Sequence, residues 1–121
     1  MNRLVPEDFQ APKVLETDKL LLRMLTVNDV VKDYDAVMTS IDHLQKIKPF
    51  GPDHPWPKKE LTLKELTFEQ DLIDLGWHQK EFQTKSSFAY TVMNLDQSEC
   101  LGCLYILPSS NSQYDAEIVI L

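Results

Sequence analysis

Glycine is scarce in this sequence, which contains only Gly51, Gly76 and Gly102. Phosphate-binding loops of the dinucleotide-binding and Walker types need several closely spaced glycines, because the backbone has to approach the phosphates. Three isolated glycines cannot form such a loop. A G-x-S-x-G turn, which is typical of serine hydrolases, is missing as well. These classes of nucleotide-binding protein and hydrolase are therefore excluded.

Long apolar runs and an excess of positive charge are also missing. No stretch approaches the ~20 apolar residues of a membrane-spanning helix, and the first residues lack the apolar segment of a signal peptide. The formal net charge is −7, with 12 Lys and Arg against 19 Asp and Glu. A phosphate backbone requires clustered positive charge, so nucleic acid is not an expected partner. We expect a cytoplasmic protein that does not bind a membrane.

Cysteine occurs only twice, as Cys100 and Cys103 in C-x-x-C spacing. This spacing is found in zinc sites and in redox-active dithiols. A structural zinc site needs four ligands, whereas the sequence has no second cysteine pair and its histidines lack ligand spacing. Residues three apart on a strand face opposite sides, so the two thiols are not expected to meet. We therefore expect two core cysteines and no metal.

Length and composition are those of an ordinary globular protein. The 121 residues allow one domain, residues 1–121. The hydrophobic share of 43% and the charged share of 26% are close to globular averages. A chain of this size can bury a hydrophobic core without disulfides.

The first part of the sequence predicts a strand followed by a helix. Residues 19–25 are apolar on both faces around Arg23, which is typical of a strand with a buried face. Thr26 and Asp29 have the spacing of a capping box. Apolar residues then recur at intervals of three and four up to position 44, which predicts an amphipathic helix.

The middle of the sequence predicts a loop and a second helix. Residues 45–57 contain four prolines, which favours an ordered loop. Thr67 is a candidate cap for the helix, and Thr62 is a competing start. The predicted buried stripe of this helix consists of Phe68, Leu72, Leu75 and Phe82.

The last part of the sequence changes to a period of two. Residues 88–94, 100–107 and 114–121 are apolar or alternating segments separated by polar turns, which predicts three strands. The expected fold is α/β, more narrowly α+β, with two helices on an antiparallel sheet in the order β-α-α-β-β-β. We expect one core, formed by Val30, Tyr34, Val37, Met38, Leu72, Leu75, Val92 and Leu104.

Glu117 is the candidate catalytic residue, because it directly precedes the apolar residues 118–121. An ionised carboxylate in such a position is costly unless it is paired, hydrated or used. It could accept a proton from an amine nucleophile, directly or through water. The alternative is a residue at the start of a strand that remains in water.

The sequence stops within this last apolar strand. An uncovered strand is an aggregation hazard. We therefore expect a truncated domain that forms a homodimer through the exposed strand.

The order and residues of these segments resemble the GNAT superfamily of N-acetyltransferases, in particular its ribosomal-protein-acetylase-like branch. Residues 15–25 are similar to the opening strand of that branch, which begins with Leu-Glu-Thr and continues with alternating leucines and an arginine. Residues 115–121 resemble its fourth strand, in which Ala-Glu-Ile is typical. The resemblance covers the N-terminal portion of the family fold.

This resemblance implies transfer of an acetyl group from acetyl-CoA to a primary amine, carried by a small molecule or a protein N-terminus. Glu117 corresponds to the acid of the fourth strand. Val119, Ile120 and Leu121 correspond to the stretch that flanks the acetyl and pantetheine groups. In the family, a glycine-containing loop after this strand binds the pyrophosphate. The sequence stops before such a loop, so we expect the chain to be inactive alone.

Two further functions are considered. The chain could be a non-catalytic binding or interaction module that pairs its exposed C-terminal strand with a partner. A zinc or redox protein that uses Cys100 and Cys103 is the weakest hypothesis.

Overall fold

The computed structural model describes residues 4–40, 46, 67–109 and 111–120. Five strands form one antiparallel sheet in the order in which they follow in the chain. The strands are β1 (Val14–Glu16), β2 (Leu20–Met24), β3 (Phe88–Asn94), β4 (Cys100–Pro108) and β5 (Ala116–Ile120). The predicted α+β class is confirmed, and the short strand β1 is an addition to the predicted order.

The first helical segment begins at the predicted capping box. The Thr26 hydroxyl accepts a hydrogen bond from Asn28 N, and the Asp29 carboxylate accepts one from Thr26 N at 2.9 Å. A 3₁₀ turn, Val27–Asp29, comes first, and helix α1 follows as Val30–Met38. The box therefore starts the helical segment as predicted, with one tighter turn before the α-helix.

Helix α2 spans Phe68–Thr84, and only part of the predicted stripe is buried: Leu75 and Phe82 are, but Phe68 and Leu72 are not. Thr67 caps it, because the threonine hydroxyl accepts from Gln70 N at 3.0 Å. Its buried residues are Asp71, Leu75 and Phe82, whereas Phe68 and Leu72 are exposed. Asp71, Leu75 and Phe82 also follow each other at intervals that place them on one side of a helix. Asp71 is therefore buried where the pattern predicted that its neighbour Leu72 would be.

Among the described residues, two separate apolar clusters replace the single core that we expected. The first joins Leu25, Val30 and Leu75 to strand residues such as Ala89 and Tyr105. The second contains Phe82, Phe88 and Tyr90, with Leu104 packed against it. Successive strand residues point to opposite faces of a sheet, and this alternation separates the strand members of the two clusters. The prediction of one core was therefore wrong for Leu104, and also for Leu72, which is 40% exposed.

The segment before β1 covers part of the second cluster. Leu4, Val5 and Ala11 pack against it, and the hydroxyl of Tyr90 donates to Pro12 O at 2.7 Å. The predicted loop 45–57, the alternative start at Thr62 and the end of the predicted first helix lie outside the described residues. Among the described helices, none combines the length and the apolar character needed to cross a membrane.

Arg23 connects the sheet to the start of α1. Its guanidinium donates to both carboxylate oxygens of Asp29, at 2.7 and 3.2 Å, and to Gln97 Oε1 at 3.1 Å. Gln97 lies in the turn between β3 and β4 and has a positive φ of 59°. Asp29 is buried and Arg23 is partly buried, so this bidentate pair is better shielded than a surface salt bridge.

We expect Asp29→Asn to lower the free energy of unfolding by about 1–3 kcal/mol, because the half-buried guanidinium loses its charged partner. Urea denaturation measures this change. Asp35→Asn, at an exposed position of α1, is the matched control and should stay within about 0.5 kcal/mol of the unmodified protein. Equal stabilities of the two variants would show that the Arg23–Asp29 pair contributes nothing.

Candidate functional site

Strand β5 carries the residues that the sequence singled out. Glu117 pairs with Leu107 of β4, and Val119 pairs with Tyr105. Glu117 and Val119 therefore project to the same face of the sheet, the face on which Val119 joins the first cluster. Glu117 is exposed and Val119 is buried, whereas Ile120 is exposed on the opposite face. Leu121 lies outside the described residues, and the roles predicted for these residues stay predictions.

Beyond β5 the described sheet has no further strand. β5 is hydrogen-bonded only to β4 in the part of the chain that the structure describes. In an antiparallel pair, the backbone groups of alternate residues bond to the neighbouring strand. The other backbone N–H and C=O groups of β5 therefore point away from β4.

A second site, which the sequence analysis did not predict, lies where α1 and α2 meet β4. Cys103 Sγ donates a hydrogen bond to Asp33 Oδ1 at 3.3 Å. The ligand atoms of Asp33, Cys100 and Cys103 all lie within 4.8 Å of one another, and the three residues are buried. Asp71 lies against Asp33, and the two carboxyl groups can share a hydrogen bond when Asp71 is protonated. We call these four residues the Asp–Cys cluster.

A β-bulge brings the two cysteines together. Val92 pairs with Gly102, but Met93 pairs with Cys100, so Leu101 is an extra residue in β4. Because of this extra residue, the side chains of Cys100 and Cys103 project to the same face of the sheet, where a regular strand would place them on opposite faces. The expectation that the two thiols face opposite sides was therefore wrong, because it assumed a regular strand.

Burial and crowding shift the protonation of these groups. Burial, followed by the hydrogen bond and charge of Asp33, raises the pKa of Asp71 from 3.8 to about 8. A hydrogen bond with Cys103 lowers the pKa of Cys100 to about 7, against the opposing effect of burial. The same contact and burial raise the pKa of Cys103. The cluster therefore resists the accumulation of several negative charges and concentrates thiolate character on Cys100.

The Asp–Cys cluster is reached through a cleft of about 350 Å³. Asp33, Cys100 and Cys103 line its inner end. The outer lining comes from α1, the residues after it and the turn between β3 and β4, and includes Lys32, Asp35, Thr39, Ser98 and Glu99. A small ligand or ion can reach the thiols by this route.

Sequence reasoning missed both acids of the cluster. Asp33 lies on the buried stripe of α1 with Val30 and Val37, and Asp71 lies one turn before Leu75 in α2. An acid at such a spacing from buried residues is the signal that could have identified them.

Known structures share this fold. The chain is similar to a GnaT-family acetyltransferase from Bordetella pertussis, with 15% identity and a TM-score of 0.58 over 90% of this chain and 59% of that one. It is also similar to the ribosomal-protein-S5-alanine acetyltransferase from Vibrio fischeri, with 14% identity and a TM-score of 0.63 over 87% of this chain and 52% of that one. No protein-family model and no curated protein matches the sequence.

These similarities confirm the fold that the resemblance in the sequence implied. The chain has the fold of the GNAT acetyltransferases over the part that it covers. It spans between one half and three fifths of the length of the two similar structures.

The raised pKa of Asp71 predicts that this residue contributes less to the stability of the protein as the pH rises. The unfolded chain releases the Asp71 proton near pH 3.8, whereas the folded protein keeps it up to about pH 8. The folded state binds more protons in this interval, so the contribution of Asp71 to stability is full below pH 3.8 and is lost as the pH rises through 8. The groups that favour the protonated form are Asp33 on α1, Asp74 on α2 and Cys100 on β4.

Asp71→Asn removes this contribution, so its stability relative to the unmodified protein should increase between pH 4 and pH 8. Urea denaturation across this range, in the presence of a chelator, measures the difference. Glu69→Gln, at an exposed position of α2, should show no such trend. A stability difference that is independent of pH would contradict the raised pKa of Asp71.

Proposed function

We propose that the protein to which this chain belongs is an acetyl-CoA-dependent N-acetyltransferase that acts on a primary amine. The observation that carries the proposal is the GNAT fold over 90% of the chain, with a TM-score of 0.58 against one acetyltransferase. The sequence of β5, which resembles the fourth strand of this family, supports it. The acceptor is an amine on a small molecule or a protein N-terminus.

The residues of β5 fit the acyl end of acetyl-CoA. The pantetheine arm is an extended chain with amide groups, and such a chain can pair with an open strand edge. The outward backbone groups of β5 offer this pairing, and the exposed side chains of Ile118 and Ile120 offer apolar contact. The stretch formed by Val119, Ile120 and Leu121 is therefore the proposed binding segment. Acetyl-CoA supplies the acetyl group as a thioester.

Glu117 is proposed as the base that prepares the amine. An ammonium group has no lone pair, so it must lose a proton before it attacks a carbonyl carbon. Glu117 is exposed at the edge strand, so a carboxylate oxygen can accept that proton directly or through one water molecule. An outward backbone N–H of β5 can donate to the oxyanion that develops on the carbonyl.

We expect Glu117→Gln to lower the acetylation rate by roughly 10²–10⁴-fold, because the amide keeps the shape of the side chain but cannot accept the proton. The loss should be largest near neutral pH and should shrink as rising pH deprotonates the amine without assistance. Acetylation of a panel of amines by the protein that carries this chain measures the effect.

Glu16→Gln is the matched control, since Glu16 is an exposed glutamate on β1 at the other edge of the sheet. Its rate should equal that of the unmodified protein. Full activity of Glu117→Gln across the pH range would show that the base lies elsewhere. Failure to acetylate any amine would overturn the proposed function itself.

A second candidate is an interaction module that pairs β5 with another copy of the chain. The observation that favours it is the exposure of Ile118 and Ile120, at 62% and 67%, on the edge strand of the described sheet.

For this candidate, light scattering of the chain should show a concentration-dependent homodimer. Ile120→Lys should shift it to the monomer, because it places a charge on the paired edge. Val31→Lys, at an exposed position of α1, should leave the dimer intact. A monomer at high concentration would contradict the module.

A further inference from the structure

The Asp–Cys cluster has no part in the proposed acetyl transfer, which takes place at β5. It brings two thiols and two carboxyl groups together in the interior, where groups of this kind are costly without a cation or a complete set of hydrogen bonds. Within the described residues, neither Asp33 nor Asp71 forms an ion pair with a lysine or an arginine. A bound cation would compensate this cost.

The spacing of the ligand atoms is that of a small thiolate-rich metal site. With metal–sulfur distances of about 2.3 Å and metal–oxygen distances of about 2.0 Å, a tetrahedral site places two sulfurs about 3.8 Å apart and a sulfur and an oxygen about 3.5 Å apart. The distance from Cys103 Sγ to Asp33 Oδ1 is 3.3 Å, and all three ligand atoms lie within 4.8 Å of one another. Each pair of ligand atoms is therefore at most about 1.3 Å farther apart than in a tetrahedral site.

An unsatisfied carboxylate oxygen provides a second, independent observation. Asp71 is 3% exposed, and its Oδ2 atom has no hydrogen-bond partner among the described residues. Buried carboxylate oxygens are normally satisfied. Asp71 lies against Asp33 and close enough to Cys100 to interact with it electrostatically. In metal sites, a second carboxylate in this position orients the ligand group and adds negative charge.

The cleft supplies both an entry path and a free coordination position. Asp33, Cys100 and Cys103 face its inner end, so an ion held by these three residues has its fourth position toward the cleft. Sites with three protein ligands and one open position bind water or a small ligand there. Thiolate ligands select Zn²⁺ over Mg²⁺ or Ca²⁺, which prefer oxygen ligands.

We propose that Asp33, Cys100 and Cys103 bind a Zn²⁺ ion, with Asp71 as a positioning residue and the fourth coordination position open to the cleft. The site is independent of the proposed acetyl transfer. It ties β4 to α1.

Co²⁺ tests the site directly, because it replaces Zn²⁺ in tetrahedral sites and is visible in absorption spectra. The reduced protein should bind one Co²⁺ ion, with a thiolate-to-cobalt charge-transfer band and the strong d–d bands of tetrahedral geometry. One equivalent of Zn²⁺ should displace the cobalt and abolish both. Absence of the charge-transfer band at saturating Co²⁺ would overturn the proposal.

Variants identify the ligands. Cys103→Ser and Cys100→Ser should each weaken Co²⁺ binding at least 100-fold and diminish the charge-transfer band. Asp33→Asn should weaken binding while both thiolate contributions to the band remain. Circular dichroism of each variant tests whether the fold is intact. If one cysteine variant fails to fold, the other still tests the role of the thiols. Affinity equal to that of the unmodified protein in both cysteine variants would overturn the proposal.

Asp71→Asn tests the positioning role. It should weaken metal binding by about 10–100-fold while the wavelength of the charge-transfer band stays unchanged, because the ligands are the same. Asp71→Glu should restore part of the affinity. Asp35→Asn is the control, because this exposed acid lines the outer cleft and should bind the metal as the unmodified protein does. An equal loss in Asp35→Asn would reduce the effect to general charge and contradict the role of Asp71.

Discussion

The pairing of β4 with β3 is the constraint on which the interior of this protein depends. One extra residue, Leu101, shifts the register between Val92 and Met93 and reverses the alternation of side chains at the start of β4. Cys100 then turns inward beside Cys103, under α1 and α2. Arg23 supports the same region, because its guanidinium contacts Met93 Sδ at 3.3 Å and Gln97 in the adjoining turn. A regular pairing would place only one of the two thiols inside.

The two candidate sites lie on neighbouring strands, β5 and β4, and differ in chemistry. β5 presents an exposed acid and an open backbone edge, which suits an extended acyl carrier and an amine. The Asp–Cys cluster lies at the start of β4 and is buried, rich in sulfur and negatively charged when ionised. Tyr105 separates the two sites: it is two residues beyond Cys103 on the same face of β4, and it pairs with Val119 of β5. It also packs on His78 of α2, with ring centroids 5.1 Å apart.

The candidate site on β5 could be predicted because it depends on a local sequence pattern. The acid–apolar boundary at Glu117 is visible in the sequence, and the structure places this residue on an edge strand with its neighbour Val119 buried. The cluster is a different case. The sequence shows the C-x-x-C spacing of Cys100 and Cys103. A regular strand would keep the two thiols apart, so a shared site for them was not predicted. Asp33 and Asp71 are about forty positions apart in the chain, and only the packing of two helices brings them together.

The sequence by itself determined most of the described secondary structure, because caps, apolar periodicity and turn residues act over a few neighbouring positions. Thr26, Asp29 and Thr67 start their helices where the pattern indicated, and β3 has the predicted bounds. Tertiary structure alone decided which stripe of α2 is buried, because Leu72 and Asp71 are equally compatible with helical spacing. It also decided the bulge in β4, since register depends on the strand opposite. The Asp–Cys cluster results from these two decisions, both of which depend on contacts between residues distant in the chain.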